Sequence, residues 1–189
     1  PGLKRIEGLN FGIAGFGKIG KAVAKRAKSF GMNILAYDPY IPDDVIRQLG
    51  AEPVSMDGLL EESDVITIHM NLTAENQGMF DLEKFKKMKR CPILLNVARG
   101  GAVNEQDLVY ALDHNMVSGA GLDVLSSETP DMITNPLVGR ENVIITPHSA
   151  FYSTTTEYLL YKIPAENVLR CLEGKYKDAN RVVNGVGLE

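Results

Sequence analysis

The sequence predicts an α/β fold: a doubly wound, mainly parallel sheet of about seven strands, with helices on both faces and thus three αβα layers. Short apolar runs alternate with amphipathic helical segments along most of the chain. The run at residues 64–69 is almost continuously apolar in its middle, as in a strand that is buried on both faces. Strands that are joined through helices pair in parallel, and such crossovers are right-handed.

The same patterns place the individual elements in order. We expect strands at residues 9–14, 33–37, 53–55, 64–69, 92–97, 118–124 and 142–146. Helices are expected at 18–30, 43–49, around Leu59 and Leu60, at 82–88, at 105–114 and at 153–174. Asn104 is a suitable N-cap for the helix at 105–114, and Gly31 is a suitable C-cap for the first helix. Pro164 predicts a kink or a break in the last helix.

The first helix has residues at helical spacing that predict the face it packs on the sheet, with lysines on its other side. These residues are Ile19, Val23, Arg26, Ala27 and Phe30.

A glycine-rich turn, Gly15-Phe16-Gly17-Lys18-Ile19-Gly20, joins the first strand to the first helix. Gly15 allows the tight turn, Gly17 lets a diphosphate approach the backbone, and Gly20 lets the helix pack closely on the strand. The start of the helix offers unpaired N–H groups and the positive end of its dipole. This order of strand, turn and helix predicts a dinucleotide-binding Rossmann domain.

The second strand ends at Asp38, near the spacing from the glycines at which a carboxylate binds the ribose hydroxyls of the adenosine. Its negative charge disfavours the extra phosphate of NADP, so NAD is the expected cofactor. An alternative stays open at this point: the glycines only form a turn, and Asp38 only caps the following loop.

Polar residues follow five different strands, and the carboxyl ends of parallel strands share the edge where ligands bind. They are Asp38, the segment 69–73, Arg99, Asp123 and His148. Glu128, from the preceding loop, could meet His148 and orient its imidazole, and an arginine can grip a carboxylate with two hydrogen bonds. This set suits carbonyl reduction, because hydride delivery to carbon requires a proton for the developing alkoxide. Salt bridges and capping are the alternative explanation, and His69 either lines the cofactor crevice or is only a strand-end residue.

Composition excludes several other classes of protein. The chain has 189 residues, 44% of them hydrophobic, which is enough for one sizeable domain. Its net charge of -4 argues against nucleic acid or an anionic membrane as a partner. The basic residues at 84–90, which we take as the only basic cluster, are expected to form a solvated helix face. Cys91 and Cys171 lack metal-ligand spacing, and no signal peptide or transmembrane run is visible, so a reduced cytoplasmic protein without a metal is expected.

Four ordered stretches together resemble the D-isomer-specific 2-hydroxyacid dehydrogenase family. They are Gly15 to Gly20 with Asp38, the run 96–101, the run 121–124 with Glu128, and the run 146–148. The resemblance implies that Arg99 binds the substrate, that His148 is the acid/base and that Glu128 tunes His148. It also implies a set of cofactor contacts: Gly15, Phe16, Gly17, Lys18, Ile19, Gly20, Asp38, Thr73, Val97, Ala98, Arg99, Asp123 and His148.

The resemblance further implies that residues 1–189 are the cofactor-binding half of an oxidoreductase for a small 2-oxo or 2-hydroxy acid. Few residues precede the first strand, so we expect the substrate domain to be absent and residues 153–189 to return to it. A homodimer is expected, as is a chain that binds NAD(H) but turns over poorly. Two departures from the family pattern stand out: Thr129 separates Glu128 from Pro130, and Asn71 occupies a position where proline is usual.

Two other functions are compatible with the fold. One is an NAD-sensing regulatory module of the corepressor type, against which the presence of Arg99, Glu128 and His148 argues. The other is a formate dehydrogenase, for which the resemblance would require an amide in place of the Glu128 carboxylate. The substrate stays open among the phosphoglycerate, glycerate, glyoxylate and lactate classes.

Overall fold

The computed structural model describes residues 5–175, of which 5–148 form one compact unit and 149–175 belong to another. The first unit contains a seven-stranded sheet in which every neighbouring pair is parallel. Its strands are β1 (Asn10–Ala14), β2 (Asn33–Tyr37), β3 (Glu52–Pro53), β4 (Val65–Ile68), β5 (Ile93–Asn96), β6 (Gly119–Leu122) and β7 (Val143–Ile145). Its helices are α1 (Lys18–Ser29), α2 (Asp43–Gln48), α3 (Met56–Glu62), α4 (Leu82–Lys86) and α5 (Glu105–Asp113), with a 3₁₀ turn at Gly100–Ala102.

The strand order is β3-β2-β1-β4-β5-β6-β7, so the direction of winding reverses between β1 and β4. Ala14 at the end of β1 is in register with Tyr37 of β2 on one side and with Ile68 of β4 on the other. In open parallel sheets the crevice at such a reversal is the usual ligand site. The predicted doubly wound, three-layer fold is confirmed.

Two hydrophobic clusters cover the two faces of the sheet. Ile13 packs with Ala24, Ala27 and Ile46 of α1 and α2. Its neighbour in β1, Ala14, belongs to the other cluster, which includes side chains from α3, α4 and α5. Successive residues of a strand point to opposite faces, so this division follows directly from β1 lying in the middle of the sheet.

Helix α1 packs on the sheet through a different face from the one predicted. Its buried residues are Gly20, Ala24 and Ala27, whereas Ile19 and Phe30 are 65% and 63% exposed. Small side chains allow the helix axis to approach the sheet closely, and a Cβ on Gly20 would overlap the carbonyl oxygen of Gly15. The prediction was therefore right for Ala27 but wrong for Ile19 and Phe30, because apolar spacing does not identify small residues that pack closely.

The ends of the helices follow the sequence signals. Gly31 has φ +77°, its N–H donates to Lys28 O, and the N–H of Met32 donates to Ala27 O, which together form a Schellman C-cap. Asn104 caps α5 by accepting the N–H of Asp107 at 3.2 Å. Both predicted caps are confirmed.

The second unit contains helix α6 (Thr154–Leu172), whose N-cap Ser153 accepts the N–H of Thr156. Pro164 lies inside this continuous helix, so of the kink or break expected there, the break does not occur. Proline removes one backbone hydrogen bond, and water can satisfy the carbonyl that is left because α6 is exposed along its length. No helix among residues 5–175 is long and apolar enough to cross a membrane.

Candidate cofactor cleft and catalytic hollow

A cleft of about 760 Å³ opens at the carboxyl ends of β1, β2 and β4, where the winding reverses. Six of the residues predicted to contact the cofactor line it: Gly15, Gly17, Lys18, Ile19, Asp38 and Thr73. Tyr37, Tyr40 and His69 contribute further walls. The fold therefore brings the glycine-rich turn, the end of β2 and the loop after β4 around one space.

The glycine-rich turn is shaped for an approaching anion. Gly15 has φ +95°, and a Cβ there would lie 2.8 Å from the backbone of His69 and Met70. Gly17 has an ordinary φ of -72°, yet a Cβ on it would meet nothing within 4 Å. Gly17 is thus the place where the backbone faces open space, and Gly15 and Gly20 pack the turn against the sheet. This arrangement fits a dinucleotide diphosphate.

Asp38 holds the two loops on either side of the cleft. Its Oδ2 accepts the N–H of Phe16 at 2.8 Å, and its Oδ1 accepts the N–H of Tyr40 at 2.9 Å. A carboxylate has about four acceptor positions, so both oxygens can still accept from ribose hydroxyls. Phe16 itself, which was also predicted to contact the cofactor, is fully buried and does not line the cleft.

His69 both lines the cleft and is held by a neighbour. Its Nε2 lies 3.0 Å from Oγ1 of Thr67, which is buried. Burial lowers the pKa of His69 below its ordinary value of 6.5, because desolvation disfavours the imidazolium. The ring therefore faces the cleft in its neutral form near pH 7.

The loop after β4 is fixed by Asn76, a residue that sequence reasoning did not single out. Its Oδ1 accepts the N–H of Thr73 at 2.7 Å, and its Nδ2 donates to Asn71 O at 2.7 Å. The Thr73 hydroxyl in turn holds the pKa of Glu75 below its ordinary value. A loop of polar residues that bond one another keeps Thr73 at the cleft without the proline usual at position 71.

A second hollow, of about 420 Å³, lies beyond the ends of β6 and β7. Asp123, Glu128, Thr146 and His148 line it together with apolar residues. Glu128 Oε2 lies 3.5 Å from His148 Nδ1, with the two side chains 79% and 44% exposed. The structure thus brings together the histidine and the carboxylate that the sequence placed on neighbouring segments.

The turn that presents His148 is pinned to the end of β6. The backbone N–H of His148 donates to the carbonyls of Asp123 at 2.9 Å and Thr146 at 3.0 Å. The buried Asp123 carboxylate accepts a hydrogen bond from the Thr146 hydroxyl. His148 has φ +51°, a left-handed conformation that is uncommon for any residue other than glycine. Backbone strain of this kind clusters at functional sites, where neighbours fix it in place.

Arg99 lies on a turn whose backbone is hydrogen-bonded to the side chain of Asn96. The buried Asn96 accepts the N–H of Ala98 at 3.1 Å and donates to the carbonyl of Arg99 at 3.0 Å. A Cβ on Gly100 would overlap the carbonyl oxygen of Leu125, so this turn packs directly on the segment that leads to Glu128. The pattern in the sequence that could have indicated this role of Asn96 is a polar amide at the end of an apolar strand.

Five of the predicted residues line neither of these two hollows: Phe16, Gly20, Val97, Ala98 and Arg99. Val97 and Arg99 are exposed, and Arg99 Nη1 donates to Ala98 O at 2.7 Å.

Known proteins share this fold and much of this sequence. The pattern of the D-isomer specific 2-hydroxyacid dehydrogenase NAD binding domain matches residues 2–150. A glyoxylate reductase of Korarchaeum cryptofilum is 42% identical over 170 residues, which cover 90% of this chain and 51% of that protein. A D-3-phosphoglycerate dehydrogenase of Methanocaldococcus jannaschii is 39% identical over 180 residues, 95% of this chain and 34% of that protein. The chain thus spans about half, or less, of the length of these relatives.

Solved structures of D-lactate dehydrogenases have a similar fold. D-lactate dehydrogenase with NAD+ from Lactobacillus jensenii superposes with a TM-score of 0.86 at 29% identity, covering 95% of this chain and 57% of that one. D-lactate dehydrogenase from Aquifex aeolicus, complexed with NAD and lactic acid, gives 0.83 at 32% identity, with coverage of 92% and 56%. NAD as the cofactor is thereby confirmed. The chain belongs to the D-isomer-specific 2-hydroxyacid dehydrogenase family, and residues 2–150 are its NAD-binding domain.

Proposed function

We propose that this chain holds the cofactor and the acid/base group of an oxidoreductase that interconverts a 2-oxo acid and a D-2-hydroxy acid. The observation that carries the proposal is the 3.5 Å approach of Glu128 to His148, at the same edge of the sheet as the cofactor cleft. A regulatory module that only senses NAD has no need of such a pair.

The residues divide the work of the reaction. His148 donates a proton to the substrate oxygen in reduction and removes it in oxidation. Glu128 orients the imidazole, while Asp123 holds the backbone turn on which His148 lies. NAD(H), when bound in the cleft, supplies or accepts the hydride.

Arg99 is the proposed anchor for the substrate carboxylate. Among residues 5–175 its guanidinium forms no ion pair, and only its Nη1 donates, to the neighbouring carbonyl of Ala98. The planar fork therefore retains donors for two parallel hydrogen bonds to a carboxylate. The relatives named above act, by name, on glyoxylate, phosphoglycerate and lactate, so the substrate proposed here is a small acid of this class.

The rest of the assignment rests on the family to which the chain belongs and on the share of its relatives' length that it spans. We propose that residues 1–189 form the NAD-binding part, that residues 153–189 return to a substrate domain, and that the protein is a cytoplasmic homodimer. Residues 176–189 of that returning segment lie outside the described residues. Positioning of both reactants with water excluded can lower a barrier by roughly 7 to 11 kcal/mol. We therefore expect this chain by itself to reduce 2-oxo acids poorly with NADH, and robust turnover would contradict the proposed division of the site.

The chemistry is tested in the protein at the length of its relatives, with NADH and a panel of 2-oxo acids that includes glyoxylate and pyruvate. His148→Gln should lower kcat on the order of 100-fold or more, because it removes the proton donor. His114→Gln is the matched control, since His114 only caps α5 and stacks on Tyr110 at 3.8 Å. Full activity in His148→Gln would refute the proposed role.

A further inference from the structure

Helix α1 carries an uncompensated positive charge. It contains five basic residues, Lys18, Lys21, Lys25, Arg26 and Lys28, and no acidic residue. None of the five forms an ion pair with any residue of the described range 5–175; Arg26 donates to Ala22 O and Lys28 to Gly50 O. The chain as a whole has a net charge of -4, so the charge of this helix is opposite in sign to that of the chain.

Most of the other described lysines and arginines form ion pairs. Within residues 5–175, every lysine and arginine outside α1, except Arg99, has a carboxylate oxygen within 3.7 Å. The basic cluster at 84–90 is the clearest case, because Lys87 pairs with Asp57, Lys89 with Glu61 and Arg90 with Asp64. That cluster is not the only one, contrary to expectation, and it is neutralised. Among residues 5–175, the cations without an ion pair are Arg99, proposed to bind an anionic substrate, and those of α1.

Four of the lysines form one stripe. At 3.6 residues per turn, Lys18, Lys21, Lys25 and Lys28 lie within an arc of about 80° on the helix surface. Lys18 lines the cofactor cleft, where its positive charge suits the negatively charged diphosphate of the cofactor. Lys21, Lys25 and Lys28 line a separate hollow of about 420 Å³, whose other walls are Phe16, Ser29 and Leu49. No carboxylate lines this hollow.

We propose that this hollow binds the oligophosphate group of a small molecule, at a site distinct from the cofactor cleft. The three lysines extend over two turns, a length of about 10 Å, which suits a string of phosphates better than a single anion. Like charges three and four residues apart disfavour a helix, and Lys18 and Lys21 lie near the positive end of its dipole. A bound polyanion reduces the repulsion between these lysines and their unfavourable interaction with the helix dipole. Carboxylates compensate the positive charges of the ion-paired cations in the same way.

Calorimetric titration of the chain with inorganic tripolyphosphate, in the presence of saturating NADH, tests the proposal. We expect binding with one site per chain that NADH does not displace, and affinity for sulfate at least about tenfold lower. The variant Lys21→Gln/Lys25→Gln/Lys28→Gln should bind tripolyphosphate at least about tenfold more weakly, because three charge-assisted contacts are lost. Its thermal unfolding should occur at or above the temperature of the unmodified chain, which verifies that it folds.

The matched control is Lys84→Gln/Lys86→Gln/Lys89→Gln, which removes the same charge from the ion-paired cluster. It should bind tripolyphosphate as the unmodified chain does. Equal loss in both variants would show attraction by net charge alone and overturn the proposal. Displacement by NADH would assign the anion to the cofactor cleft, and equal affinity for sulfate would show that a string of phosphates is not recognised. Absence of binding at millimolar tripolyphosphate would also refute it.

Discussion

Two glycines of the same turn should respond to alanine in opposite ways. Gly17→Ala adds a methyl group where nothing lies within 4 Å, at a φ that alanine adopts readily. Gly20→Ala adds one that overlaps the carbonyl oxygen of Gly15 and comes within 3.2 Å of Ile13 Cγ2. The first change should therefore affect binding of the cofactor alone, and the second should affect the free energy of unfolding as well.

The magnitudes follow from this geometry. Overpacking costs about 1–3 kcal/mol, and the upper end applies to Gly20 because a backbone carbonyl cannot rotate away. Alanine in a helix interior returns about 1 kcal/mol, which leaves a net loss of about 2 kcal/mol. For a chain of this size that lowers Tm by about 4–8 °C. At Gly17 the loss of a good N-cap residue and the lower entropy of the unfolded chain oppose each other, so stability should change by less than about 1 kcal/mol.

Thermal unfolding with and without NADH measures both effects. If the Gly17 methyl weakens NADH tenfold, a concentration of 100 times the original Kd stabilises the variant by about 1.4 kcal/mol, against about 2.7 kcal/mol for the unmodified chain. The rise in Tm on adding NADH should accordingly be halved. An unchanged rise would refute the view that the diphosphate passes Gly17. Unchanged Tm in Gly20→Ala without cofactor would refute the close packing of α1 on the turn.

Three further changes probe the polar residues at the edge of the sheet. Asp38→Asn keeps an acceptor for Phe16 but removes the charge, so fluorescence titration should show a preference for NADH over NADPH that is about tenfold smaller; an unchanged preference would exclude Asp38 as its source. Burial lowers the pKa of His69, so the unfolded chain takes up a proton first and stability falls as the pH drops below about 6.5. His69→Gln should flatten that slope in urea unfolding curves, and an unaltered slope would contradict this assignment. Asn96→Ala leaves the part-buried N–H of Ala98 without its partner, while the Arg99 carbonyl keeps the N–H of Ala102, so the change should cost about 1–3 kcal/mol. Asn142→Ala, exposed with one 3.3 Å bond, should cost less than about 0.5 kcal/mol, and similar losses in the two would refute the bracing role of Asn96.

The sheet was predictable because its strands are short apolar runs with clear limits. β2 has the predicted bounds, and β4 and β5 lie within the predicted runs. The buried face of α1 was not predictable from apolar spacing, because the space available to Gly20 and Ala24 depends on how closely the sheet approaches. Hydrophobic patterns record which residues avoid water, and they say little about the distance between two packed backbones.

The sequence predicted part of the lining of the two hollows, but it did not predict the hydrogen bonds that hold this lining in place. Parallel topology places Glu128 and His148 at one edge, and the structure brings them to 3.5 Å. The left-handed φ of His148, and the hydrogen bonds by which Asn96 and Asp123 hold the turns, depend on contacts between distant segments. No local pattern in the sequence indicates such contacts.

Capping and function are not alternatives at this edge. Some N–H groups of the loops beyond the strand ends donate to polar side chains and not to strand carbonyls. Asp38 accepts from Phe16 and Tyr40, and Asn96 accepts from Ala98. Each of these bonds fixes a side chain or a turn at the edge of the sheet where we propose that the ligands bind. The carboxylate or amide that stabilises the loop is thereby positioned in advance, so the sequence question of whether Asp38 caps a loop or binds a ribose has a physical answer: the first makes the second possible.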